Sequence, residues 1–299
     1  MAEFPVAQTA TFGKSRVTGV RLPKGFAWKL FSYSVLVLGA IISLVPFIWM
    51  TLASLMTLGE SLGSNFIPSA LHFENYVDAW QGAQFSHYLL NSVIITLITL
   101  AGELTFSTMA AYAFARIKFP GRDVIFAVLL SSMMIPGIVT MIPNLLTVTW
   151  LGRIGPIAWI DNWPSLTIPF MGSVFSIFLL RQFFSQIPEE LFDAAKIDGA
   201  GHWRMLTRVV IPLSSAPILV ITVLSFIGSW NALAWPLLVT NSPKWLPIAV
   251  GLYNFVSDQG SKVNLIMAGS VITIIPILFL YFITQRQFTE SIARSGLKG

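Results

Sequence analysis

The chain has 299 residues, of which 55% are hydrophobic and only 10% charged, with a formal net charge of +5 and a pI near 9.6. Soluble domains carry roughly 25% charged residues, and here the apolar residues gather into blocks of about 20 or more, the length a helix needs to cross a bilayer. A water-soluble fold is excluded on that ground, and the absence of cysteine excludes disulfides, thiolate metal sites and a cysteine nucleophile.

After a basic, polar segment at residues 1–29, the first apolar block covers 34–55. It is too long for the core of a cleavable signal and predicts a retained anchor. Further blocks predict membrane helices over 88–114, 124–148, 165–184, 213–239 and 263–284. The expected architecture is an all-α polytopic membrane protein with six spans in a domain at 30–285, a charged loop at 185–212 and a tail at 286–299. Pro46, Pro136, Pro143, Pro217, Pro236 and Pro276 fall inside apolar blocks, where each removes a backbone hydrogen bond and can kink or unwind a helix.

Six spans put both termini on one side, and the basic residues say which. Lys14, Arg16, Arg21, Lys24 and Lys29 precede the first span, while Arg116, Lys118 and Arg122 flank the turn after the second. Arg181 just before the charged loop and Lys196, Arg204 and Arg208 within it are counted on its side, and Arg286, Arg294 and Lys298 belong to the tail. Only Arg153, Lys244 and Lys262, of 18 Lys and Arg, fall on the opposite side. Basic residues collect in cytoplasmic loops, so both termini and the charged loop are expected in the cytoplasm. The high pI is then topological and calls for no nucleic-acid partner.

The charged loop carries helix punctuation. Pro188 suits a first helical position, Glu189 and Glu190 suit the positive end of the helix dipole, and Gly199 can take the left-handed conformation that ends a helix. A short helix, a glycine turn and a second helix are predicted. Leu191, Ala194 and Ala195 share one face, which Phe192 and Ile197 widen. A helix of two to three turns is unstable alone, so it must pack either on its own chain or in a groove of a partner.

The same segment resembles the EAA loop of ABC importer permeases, whose pattern is Glu-Ala-Ala, three residues, Gly, nine residues, Ile, one residue, Leu, Pro. Asp193-Ala194-Ala195, Gly199, Val209, Ile211 and Pro212 keep that register, with Asp for Glu and aliphatic exchanges at two positions. Asp198-Gly199-Ala200 matches the sugar-permease branch, as do Asn91-Ser92, Ala111 to Arg116, Phe119-Pro120-Gly121, Trp230-Asn231, Trp235-Pro236-Leu237 and Gln285-Arg286. The resemblance runs from Pro46 to the end, and the Lys298-Gly299 terminus is similar to that of the shorter, second permease of maltose-type importers.

That resemblance implies a type I importer permease fold in the bacterial inner membrane. It implies a second homologous permease forming a heterodimer, two ATPase subunits that bind ATP and Mg, a soluble substrate-binding protein, a sugar or oligosaccharide substrate, and contact with lipid. Glu189, Glu190, Asp193, Ala194, Ala195, Asp198 and Gly199 would then form the ATPase-coupling element. The chain itself has no Gly-x-x-x-x-Gly-Lys-Ser/Thr phosphate loop, so it is expected to be a transport subunit without cofactor or enzymatic site of its own. His72, His87 and His202 lack metal-ligand spacing.

For the substrate path, Glu103 is the acid deep inside a span and must face the protein interior, either contacting substrate or hydrogen-bonding another helix. Trp230, Asn231 and Trp235 combine aromatic planes with an amide, the pairing a sugar site uses, although tryptophan also packs between membrane helices. Four-residue spacing would place Asn231 and Trp235 on one face. A proton-coupled secondary transporter with Glu103 as carrier is the rival reading; it calls for inverted repeats and several intramembrane acids.

Overall fold

The computed structural model describes residues 26–296 except positions 65, 83 and 261, with side chains from 28 to 285. Lys14, Arg16, Arg21, Lys24 and Lys298 lie outside the described residues, as do the side chains of Arg286 and Arg294. The described residues are helical, with no strand among them.

The chain divides into two units, 1–48 and 49–299. The described part of the first unit is the greater part of helix α1 (Phe26–Ala53), whose apolar side chains, Leu36 and Ile42 among them, point outward. In the second unit a short α2 (Leu58–Ser61) is held by a capping box. Thr57 Oγ1 accepts the Glu60 amide, and the Glu60 carboxylate accepts the Thr57 amide at 2.9 Å. Helix α3 (Glu74–Gly82) leads to α4 (Phe85–Arg116), a 32-residue rod.

The apolar block expected as one span at 124–148 is two helices, α5 (Arg122–Ser132) and α6 (Gly137–Ile154). The break falls where Pro136 has no amide to donate and drives Ile135 out of helical conformation. Next come α7 (Trp163–Thr167), a single 3₁₀ turn at Ile168–Phe170, and α8 (Val174–Gln186). The charged loop folds as α9 (Glu189–Ile197), α10 (His202–Met205), a π turn at Leu206–Val210 and α11 (Ile211–Leu213).

Helix α12 (Ser215–Trp230) turns away from the preceding segment by 81° at Ser214. The block expected over 213–239 is therefore also interrupted, first at Ser214 and again at 231–233, after which α13 (Ala234–Val239) resumes. Helices α14 (Ile248–Gln259) and α15 (Val263–Gly296) complete the chain. Pro46, Pro143 and Pro276 sit within continuous helices, whereas Pro217 and Pro236 lie in the first turn of theirs, where no amide is missed.

Among the described residues, five helical stretches are long and apolar enough to cross a membrane, and a sixth is gained if the bent pair at Ser214 counts as one. Helix α4 is central, packing most extensively on α8 and then on α12. At one end of α4, Phe85 shares a buried cluster with Trp230, Ile248, Phe255 and Ala268. Here α14 approaches closely, because a Cβ on Gly251 would fall on the Tyr88 ring. At its other end, Ala111 and Tyr112 join Leu180, Phe184, Phe192, Met205 and Ile221.

Candidate functional site

Helix α9 is fixed to its own chain along one side. Phe192 is buried in the cluster with Tyr112 and Phe184, and Ala195 packs against that cluster. Arg116, the last residue of α4, reaches across to hold it. Its Nε and Nη2 donate to the Phe184 carbonyl at 3.0 and 2.6 Å, and Nη2 also donates to the Ile187 carbonyl. Its Nη1 meets Glu189 Oε2 at 2.8 Å, and its guanidinium lies 4.1 Å over the Phe192 ring. One planar, always charged group thus ties α4, the last turn of α8 and the start of α9 together.

The helix ends as its sequence predicts. Gly199 has φ +71°, its amide donates to Lys196 O at 2.9 Å, and the Ala200 amide donates to Ala195 O at 2.9 Å. This is a Schellman arrangement, completed by the packing of Ala195 and Ala200 on one core. The following segment is pinned by Tyr112 Oη, 3.0 Å from His202 Nδ1.

The opposite side of α9 is unpartnered. Leu191 and Ala194 are exposed, Ile197 is 87% exposed, and Trp203 beyond the turn is 66% exposed. Of the acids, Glu189 turns to Arg116 and Asp193 to Lys196, whose ammonium is held above its ordinary pKa by that hydrogen bond. Glu190 and Asp198 are exposed. The apolar residues expected to share one face are therefore divided, Phe192 and Ala195 inward and Leu191, Ala194 and Ile197 outward.

A cavity of about 530 Å³ lies between the middle of α4, the α7–α8 connection and the α12–α13 break. Glu103 and Trp235 line it; Trp230 and Asn231 do not. Trp230 is buried instead in packing, stacked on Phe226 at 5.5 Å and donating its indole N–H to Thr273 O at 3.1 Å. Asn231 is exposed, because α12 ends at Trp230 and the break at 231–233 destroys the four-residue register with Trp235. Trp235 is oriented by its N–H to Ser165 O at 2.8 Å and an edge-to-face contact with Phe170.

Glu103 faces the interior, as its cost in hydrocarbon requires. It is 6% exposed and accepts a hydrogen bond from Ser176 Oγ of α8 at 2.7 Å. It belongs to a buried polar stripe on α4 formed by Ser92, Thr96, Thr99, Glu103 and Ser107. Their three- and four-residue spacing, readable in the sequence, puts all five on one face.

These features define a multi-pass helical membrane protein with a short helix clamped at the end of a polar-striped span. Residues 103–292 match the family described as binding-protein-dependent transport system inner membrane component. The chain is 31% identical over 273 residues to the diacetylchitobiose uptake system permease of Streptomyces coelicolor, covering 89% of this chain and 88% of that one. It is 32% identical over 277 residues to the sn-glycerol-3-phosphate transport system permease of Brucella abortus, covering 89% and 96%. It also resembles a chain in the crystal structure of a bacterial ABC transporter involved in the import of the acidic polysaccharide alginate, with 24% identity, a TM-score of 0.79, and coverage of 90% and 99%. The chain belongs to the binding-protein-dependent transport system inner membrane component family, and its fold is that of an ABC importer permease.

Proposed function

We propose that this chain is one of two permease subunits of an ATP-driven importer of a sugar or oligosaccharide in the bacterial inner membrane, with α9 as the lever through which ATPase subunits move it. Its partners are a second, homologous permease, two ATPases that bind ATP and Mg, and a soluble protein that delivers substrate. The distribution of basic residues supports a cytoplasmic position for α9 and both termini. The chain contributes no hydrolytic site; its part is to convert closure of the ATPase pair into alternating access, an equilibrium shifted by differential binding.

The observation that carries this reading is the two-sided character of α9. One side is built into the end of α4 by Arg116 and Phe192, while Leu191, Ala194 and Ile197 stand free on the other. An apolar strip on a rigidly mounted helix outside the hydrocarbon suits a groove in a partner. Carbohydrate as the cargo is supported by the diacetylchitobiose permease of Streptomyces coelicolor and the arabinooligosaccharide transport permease of Bacillus subtilis, 29% identical over 265 residues. Family membership displaces the proton-coupled rival centred on Glu103.

Affinity purification of the tagged chain from its native membrane tests the assembly. A second permease and an ATPase should co-isolate, and ATP hydrolysis by the complex should rise when the binding protein presents a saccharide. A homodimer of this chain that transports without an ATPase contradicts it.

A further inference from the structure

The cavity beside α4 contains polar atoms that the protein leaves unmet. Thr99 is 4% exposed and lines the cavity, and its Oγ1 has no hydrogen-bond partner. Threonine in a helix readily returns its hydroxyl to the carbonyl four residues earlier, as Thr105 does to Ala101 O at 2.7 Å. One turn along the same face, Glu103 accepts only from Ser176 Oγ among the described residues. A carboxylate has room for about four hydrogen bonds. Buried polar groups left without partners are costly, so the pair Thr99 and Glu103 is suited to a ligand that brings hydroxyl donors.

The other walls suit the same ligand. Phe170 and Trp235 line the cavity, and their mutual edge-to-face contact and the Trp235–Ser165 hydrogen bond fix them. Aromatic surfaces of this kind cover the C–H faces of sugar rings. Ser173 and Ser229 add hydroxyls on the far sides. The volume of about 530 Å³ falls within the roughly 300–1,000 Å³ of small-molecule sites.

Charge decides between classes of cargo. No Lys, Arg or His is found among the described residues that line the cavity, and Glu103 is the ionisable group there. A phosphate or uronate carboxylate would meet a carboxylate and no cation, in surroundings that screen poorly. Cargo like that of the glycerol-3-phosphate permease or the alginate importer is disfavoured.

We propose that Thr99 and Glu103, with Phe170 and Trp235, form a subsite for a neutral saccharide on the translocation path, and that its charge excludes anionic cargo. This rests on the reading of the chain as a carbohydrate permease. In transit Glu103 accepts hydrogen bonds from sugar hydroxyls, Thr99 exchanges one, and the rings take the apolar face.

The test is saturation-transfer NMR on the assembled complex without its binding protein, titrating diacetylchitobiose, arabinotriose, sn-glycerol-3-phosphate and alginate oligosaccharides in turn. A neutral saccharide should bind and the anions should not. Thr99→Val should raise its Kd roughly tenfold, and Glu103→Ala roughly ten- to a hundredfold, as expected for a neutral and a charge-assisted hydrogen bond. Glu103→Gln, which keeps the shape and one acceptor, should fall between and should admit the anions weakly. Co-isolation of the partner subunits with each variant shows that it has assembled.

Binding of the anions alone overturns the charge assignment. Neutral binding unmoved by all three variants overturns the subsite, whether lipid or a partner side chain fills the cavity. Absence of any binding also overturns the subsite, while co-isolation of the ATPase would leave the proposed function standing.

Discussion

Glu60 shows at the scale of one residue how the structure uses charge outside the membrane. Its carboxylate accepts from the Ser69 side chain and amide and from the Thr57 amide, closing the loop between α1 and α3. These bonds, the Ser69 hydroxyl foremost, lower its pKa from 4.5 to about 2. A carboxyl whose folded pKa is depressed stabilises the fold fully above its unfolded value and loses that contribution as pH falls through the folded one. The protection of amides over residues 57–69, measured relative to intrinsic exchange at each pH, should therefore hold down to pH near 4.5 and decline as pH falls from there toward 2. Glu60→Gln should show the lowered protection already at neutral pH; unchanged protection in that variant contradicts this role. The Thr57–Glu60 spacing fits a capping box but did not enter the sequence reading, and nothing local points to Ser69, nine residues from Glu60. Glu103 was legible as inward-facing from hydrocarbon energetics alone, whereas its bond to Ser176 depends on how α8 packs on α4.

At the scale of elements, α9 was the most legible because its ends are written locally, in Pro188 and Gly199. Which side faces the protein was not, since that depends on Arg116, 73 residues before Glu189. Arg116→Ala leaves the Ile187 carbonyl without its Arg116 donor and the Phe184 carbonyl with the longer bond from the Ile187 amide at 3.4 Å, a loss of about 1–3 kcal/mol where a carbonyl stays buried and unmet. The exposed partner Glu189 adds little. We expect Arg116→Ala to lower the thermal stability of the complex and its transport rate together. Arg116→Lys should fail to restore either, since an ammonium cannot span three acceptors and an aromatic ring. Restoration by lysine contradicts the clamp. The membrane spans were legible as apolar blocks, but three of them are interrupted, one at 133–136, one at 171–173 and one at both 214 and 231–233. Pro136 marked the first break. Nothing local marked the break at 231–233, so Asn231 and Trp235 were expected on one face and lie apart.

For the whole molecule, hydropathy and the distribution of Lys and Arg were enough to anticipate an all-helical membrane protein, because both follow from the cost of charge in hydrocarbon. The cavity was not visible that way, since it depends on three separate segments meeting beside α4. The proposed seating of the outer side of α9 in an ATPase subunit is directly measurable, because the chain lacks cysteine. A single Ile197→Cys, on a side chain 87% exposed, can carry a photo-crosslinker without background from other thiols of this chain. In membranes containing the assembled importer, that position should crosslink to an ATPase subunit, while a probe placed at Leu36 on α1 should not. An importer that transports normally yet shows no ATPase adduct at Ile197→Cys would contradict the account.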